Sequence, residues 1–85
     1  MKYYIGEIME MNSGMEYETK YLFATKGNPD KYSDKVAMKW RGGSKRDWDE
    51  SYNGYWSDNT LIQDEGYKEI SKEDFEVLSK YLAKL

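Results

Sequence analysis

"YYIGEIMEMNSGMEYETKYLF", Tyr3 to Phe23, decides the fold, because it reads as two β-strands separated by one turn. Along the first strand Tyr3, Ile5, Met9 and Met11 fall on one side, and Tyr4, Ile8 and Glu10 on the other. Asn12-Ser13-Gly14 then reads as a three-residue hairpin loop, with Gly14 supplying a positive φ. That loop length sets Met11 against Met15, Met9 against Tyr17, Glu7 against Thr19, Ile5 against Tyr21 and Tyr3 against Phe23. All but the Glu7 pair are apolar, and a slip by one residue would destroy the match. The expectation is therefore a methionine-lined inner face. The other face mixes Tyr4 and Leu22 with Glu10 and Glu16 and should be partly wet.

Working outward, "GNPDKYSDKVAMKWRGG" (27–43) carries concordant helix signals. Asn28 suits the N-cap, Pro29 the first helical position, Asp30 the positive first turn and Gly42 the stop. Tyr32, Val36 and Trp40 recur every four residues and should cover the hairpin. Lys35, Lys39 and Arg41 fall late in the helix, where its dipole favours cations. Further on, 60–63 and 66–70 read as short strands reversing around Asp64-Glu65-Gly66. The last segment reads as a helix in which Ser71 caps over Asp74, Ile70 and Phe75 form a hydrophobic staple, and Phe75, Leu78, Leu82 and Leu85 make a stripe broadened by Val77 and Tyr81. The order β-β-α-β-β-α implies a single α+β domain, 1–85, with an antiparallel sheet and both helices on one side. The two halves share an element order but no residue repeat.

Composition narrows the function. A chain of 85 residues buries only roughly 60% of its unfolded surface, so its core is small. Without cysteine there are no disulfides, no thiolate ligands and no thiol catalysis; without histidine, the commonest general base and zinc ligand are missing. Phosphate loops and nucleophile elbows are also lacking, and carboxylate neighbours such as Asp47 with Asp49 are what a chain with sixteen acids contains by chance. These features point away from an enzyme and from any cofactor. Glu7 interrupts the first apolar run, so neither a signal peptide nor a membrane span is expected, and the cytoplasm is the expected compartment. The net charge is -3, but unevenly spread. Residues 1–46 carry nine basic and six acidic side chains, +3, whereas 47–76 carry two and ten, -8. A partner with basic character should face the second half.

The densest chemistry lies in "KRDWDESYNGYWSDN", Lys45 to Asn59. As a calcium loop it places Asp49, Ser51, Asn53 and Gly54 at the first, third, fifth and sixth positions, but puts Thr60 where a bidentate glutamate belongs and Trp56 at the eighth. Starting at Asp47 brings Asp58 to the twelfth position and Tyr52 to the sixth, which demands glycine. No metal is expected. As a hairpin, Asn53-Gly54 would be a two-residue turn with Tyr52 facing Tyr55, but Asp49 would then oppose Asp58, so only short pairing is expected there.

As a recognition surface the segment offers aromatic and arginine side chains, the usual energetic anchors of interfaces. Trp40 should belong to the core, leaving Trp48 as the exposed anchor. The candidate binding residues are Arg46, Asp47, Trp48, Asp49, Tyr52, Tyr55, Trp56 and Asp58. The expected function is a non-enzymatic module that binds a larger protein or nucleoprotein complex with a basic surface. This small, acidic, aromatic-rich profile resembles that of inhibitors made by phages and mobile elements, which implies a host nucleic-acid-handling defence complex as the partner. The alternative is single-stranded nucleic acid, stacked on the aromatics and neutralised by Arg41, Lys45 and Arg46. Asp47, Asp49 and Glu50 weaken the field that phosphates need.

Overall fold

In the computed structural model, which describes Met1 to Leu85, the first 25 residues form the expected hairpin one residue away from the expected register. Strands β1 (Lys2–Asn12) and β2 (Met15–Thr25) are joined by a two-residue turn, Ser13 at φ 51° and Gly14 at φ 81°. Two left-handed residues match the twist of the flanking strands, so Asn12 is drawn out of the loop to pair with Met15. Every side-chain pairing changes with it: Tyr4 meets Phe23, Gly6 meets Tyr21, and Ile8 meets Thr19.

The buried face of β1 is consequently Tyr4, Gly6, Ile8 and Glu10, and the methionine face is the outer one. Met9 and Met11 are half-buried, and Met15 is 57% exposed. Apolar pairing alone does not reveal which face a helix covers; ring packing against α1 does. Phe23 stacks on Tyr4 and on Tyr32 of the helix, and Tyr21 lies across Gly6 toward Trp40. Glu10 is carried inside by this register, where its carboxylate accepts hydrogen bonds from Trp40 Nε1 and, at 3.1 and 2.8 Å, from Arg41 Nε and Nη2. A buried carboxylate needs such partners, and a guanidinium donating twice to one of its oxygens is a strong, charge-assisted one.

Helix α1 (Pro29–Lys39) begins as expected, with Asn28 Oδ1 accepting the Asp30 N–H at 2.9 Å and Pro29 in the first turn. Ser33 and Ala37 are its buried residues, flanked by half-buried Tyr32, Val36 and Trp40. Small side chains at the closest approach bring the helix near the sheet, and the larger ones wrap around it. Arg41, read as a favourable helix-end cation, is instead held by Glu10.

Beyond a 3-10 turn (Lys45–Asp47) come β3 (Trp48–Asp49), β4 (Gly54–Ser57) and β5 (Thr60–Ile70). The expected reversal at Asp64-Glu65-Gly66 is a β-bulge within one continuous strand. Glu7 pairs with Gly66 and Ile8 with Asp64, leaving Glu65 as the extra residue, while Gly66 takes φ 99° and donates its N–H to Asp64 Oδ1 at 2.9 Å. The reversal lies earlier, at Asp58-Asn59, both left-handed, between β4 and β5. The sheet is antiparallel with strand order β2-β1-β5-β4-β3; the two strands expected over 60–63 and 66–70 are the single strand β5, and β3 and β4 precede it.

Helix α2 (Lys72–Leu78) is capped by Ser71 Oγ, which accepts the Asp74 N–H at 3.0 Å, but it is shorter than its apolar stripe suggested. Leu82 and Leu85 are not helical. The tail straightens beside β2, where Leu22 donates its N–H to Ala83 O and Leu85 donates to Leu22 O, each at 2.8 Å. Pairing two backbone groups of an open strand edge outweighs another helical turn. The helices also do not share a face. Helix α1 packs on the side of Tyr4 and Phe23, whereas Phe75 of α2 packs against Tyr3, which alternation turns to the reverse side, at 4.9 Å between ring centroids. No helix is long and apolar enough to cross a membrane.

The tyrosines beneath α1 give the fold a pH dependence. Burial, and then the field of Asp64, push the Tyr21 hydroxyl well above its ordinary 10.0. Tyr55 rises to about 12, through burial and then its 3.1 Å hydrogen bond to Asp34. Tyr67 rises to about 12, chiefly through its 2.5 Å hydrogen bond to Asp30 and then through burial. The folded state therefore holds these protons more tightly than the unfolded chain. Their contribution is intact below pH 10.0 and is lost as pH rises through about 12. A melting temperature level at pH 8 to 9 and falling above pH 10 is expected, with part of the tyrosinate absorbance appearing only on unfolding. Complete tyrosinate titration near pH 10 with native circular dichroism would contradict this assignment.

Candidate partner-binding surface

Lys45 to Asp58 is braced locally before it can present anything. Asp47 Oδ2 accepts the Ser44 N–H at 2.7 Å and closes the 3-10 turn, so this carboxylate acts first as an internal clip. Trp48 then pairs with Tyr55 and Asp49 with Gly54. The connecting turn is four residues, Glu50 to Asn53, and Asn53 is left-handed at φ 51°. The expected two-residue Asn53-Gly54 turn is corrected by this: Gly54 already belongs to β4, Tyr52 does not face Tyr55, and Asp49 does not oppose Asp58. The short pairing expected here is present as two residue pairs.

The eight candidate residues separate onto two faces and a turn. On the α1 side, Trp48 is 43% exposed and stands edge-on to Tyr55 at 4.9 Å. Tyr55 was expected at the surface but is 7% exposed, because its register with Ile62 points it under α1, where it donates to Asp34 and backs Trp48. Trp48, Tyr55, Asp34 and Lys45 enclose a shallow concavity of about 350 Å3.

On the reverse side Trp56 is 37% exposed and Tyr52 56%, meeting edge to face at 5.6 Å. Trp56 Nε1 donates to Asp49 Oδ2 at 3.1 Å, and Asp49 Oδ1 accepts the Ser51 N–H at 3.0 Å. Gln63 Nε2 donates to Tyr52 O at 2.7 Å, tying the turn to β5. Asp49, first weighed as a calcium ligand, orients the indole. No group of three or more His, Cys, Asp or Glu side chains lies close enough to hold a metal ion. Asp58 is exposed in the β4–β5 turn, and Arg46 and Lys45 are exposed and outside every ion pair of the fold. Trp40 is half-buried against the core, so two of the three indoles face solvent.

The tertiary structure adds residues that the local reading missed. Met11 and Trp56 both pair with Leu61, so their side chains emerge on the same face, and with Tyr52 they border a concavity of about 310 Å3. Glu16 stands opposite Met11 and Glu18 opposite Met9 on that face. The methionine alternation is the available signal, but alternation by itself does not say which side of the strand is the interior. Such an arrangement offers apolar area, fixed indole edges and carboxylates, which suits recognition. Neither family models, nor curated proteins, nor solved structures match this chain.

Proposed function

We propose that the protein is a non-enzymatic protein-binding module whose β3–β4 hairpin and adjoining strands engage a larger partner with a basic surface. The observation that carries this reading is the pair of outward indoles, Trp48 and Trp56, each held in a fixed pose by an aromatic neighbour. Such side chains bury large areas and lose little rotamer freedom on binding. Exposed Asp58 and half-exposed Asp49 would steer a cationic partner toward them. If that partner handles nucleic acid, the acidic, aromatic edge would occupy its basic groove, as expected of a small phage or mobile-element inhibitor.

Affinity capture from the native host tests the reading. Trp48→Ala with Trp56→Ala should abolish recovery of the partner while leaving circular dichroism and melting cooperative. Retained capture by the folded double variant would refute the site. A second reading is favoured by the unpaired Lys45 and Arg46 beside Trp48, which could grip single-stranded nucleic acid. Binding to a single-stranded oligonucleotide would then fall steeply with salt. An absent gel shift at low ionic strength would exclude it.

A further inference from the structure

The reverse face of the sheet is only partly covered. Strands β1, β2 and β5 are each 11 residues long, about 36 Å at 3.3 Å per residue, whereas the seven residues of α2 span about 10 Å. Helix α2 packs at the Tyr3 end through Phe75. The distal part of the face remains open, carrying half-buried Met9 and Met11 and exposed Trp56 and Tyr52 around a buried Leu61. Its charge is of one sign. Glu16 and Glu18 stand beside the methionines and form no ion pair, and Asp49 stands beside Trp56. The basic side chains of this face, Lys20 and Lys68, pair with Glu7 and Ile5 toward the covered half.

We infer that this open half-face is the seat of a cationic amphipathic helix of the partner protein, lying alongside α2 as the missing part of a second helical layer. The inference rests on the protein-binding reading above and specifies its partner chemistry. A helix is favoured over an extended segment by backbone accounting: a strand laid on a sheet face reaches none of the sheet's edge groups and leaves its own amides unpaired over apolar side chains, while a helix satisfies its own. Crossing from β2 to β4 covers three strand spacings, about 14 Å, the length of about ten helical residues. Apolar residues at i, i+3, i+4 and i+7 would meet Met9, Met11, Tyr52 and Trp56, and flanking lysines or arginines would meet Glu16, Glu18 and Asp49. Methionine suits such a floor, since its unbranched side chain adapts to a partner's shape.

The probe is a synthetic 14-residue peptide with leucines at those spacings and lysines elsewhere, titrated at physiological salt and followed by Trp fluorescence and amide chemical shifts. Saturable binding that perturbs Met9, Met11 and Trp56 is expected. It should weaken about tenfold or more in Glu16→Lys with Glu18→Lys and in Tyr52→Ser, but stay unchanged in Lys31→Ala, an exposed residue of α1 on the other side of the sheet. Circular dichroism of each variant controls for folding. Equal affinity for the folded charge-reversed variant, equal binding of a peptide with glutamates replacing the lysines, or perturbation confined to the Trp48 side would each overturn the inference. So would light scattering showing a dimer that buries this face. Should the peptide fail to bind while the tryptophan variants still lose the native partner, the helix seat is wrong and the binding-module reading stands.

Discussion

Gly6→Ala should lower the melting temperature by roughly 12 to 24 °C. The ring of Tyr21 lies directly over Gly6, and a Cβ there would sit 2.5 Å from its Cζ, 2.7 Å from its Oη and 2.8 Å from Cε1. Tyr21 has no free space to move into, because it is fully buried, stacked on Phe23 and tilted against Trp40 at 6.1 Å between centroids. Overpacking of this kind costs about 1 to 3 kcal/mol, and a rigid ring gripped on three sides belongs at the upper end. A domain of this size has roughly 4 to 13 kcal/mol of total stability, so about 3 kcal/mol is a large fraction, worth about 4 to 8 °C per kcal/mol. Thermal melts of Gly6→Ala, Tyr21→Leu and the double variant test the mechanism. Leucine lacks the atoms that meet the new methyl group, so the double variant should be more stable than the summed single effects imply. A Gly6→Ala melt within a few degrees of the parent would show that Tyr21 does not occupy this place.

The second large effect belongs to Phe23→Ala. Phe23 is 1% exposed and is the hub of the ring cluster, stacked on Tyr32 at 4.7 Å, Tyr4 at 4.9 Å and Tyr21 at 5.7 Å, with Tyr67 edge-on at 6.0 Å. It joins β2, β1, β5 and α1 in one contact set, so its removal leaves a cavity that no single element can close. Truncating a buried phenylalanine costs about 3 to 5 kcal/mol, and the lost ring pairs add to that. Urea unfolding should show most of the stability gone, with the variant partly unfolded in water at physiological temperature. Met15→Ala is the informative contrast. Met15 was expected within the hairpin but is mostly exposed, and its truncation should change stability by less than about 0.5 kcal/mol. Comparable losses from the two substitutions would restore the methionine-lined interior and reject the observed register.

The two experiments bear on the outward face of the sheet as well as on the fold. Turning Tyr4, Ile8, Tyr21 and Phe23 inward is what turns Met9 and Met11 outward, since successive strand residues alternate in direction. The pairing register therefore decides both the core and the chemistry available to a partner. Glu10 is part of the same decision. It reaches the interior only because Trp40 and Arg41 arrive from the end of α1 to donate hydrogen bonds to its carboxylate.

Much was legible in the chain itself. Asn28-Pro29-Asp30 and Ser71 with Asp74 mark helix starts because their side chains and ring geometry satisfy or spare the first unpaired amides, a local matter within a few bonds. The two strands of the first hairpin were legible by alternation, and the surplus of aromatic rings over the capacity of a small core placed Trp48 at the surface. The rest was settled by contacts distant along the chain. Whether Asn12 lies in the turn or the strand is a difference of one residue, and only the fit of Tyr21 over Gly6 and of Phe23 against Tyr32 selects between the two registers. Asp64-Glu65-Gly66 suits a bulge and a reversal equally well, and pairing with a continuous β1 chooses the bulge. The apolar stripe after Ser71 suits a longer helix, until the open edge of β2 offers Ala83 and Leu85 a backbone partner. Capping and alternation are set by neighbours in sequence and so are written there; register, facing and the joining of Met11 to Trp56 depend on surfaces that exist only after the sheet has assembled.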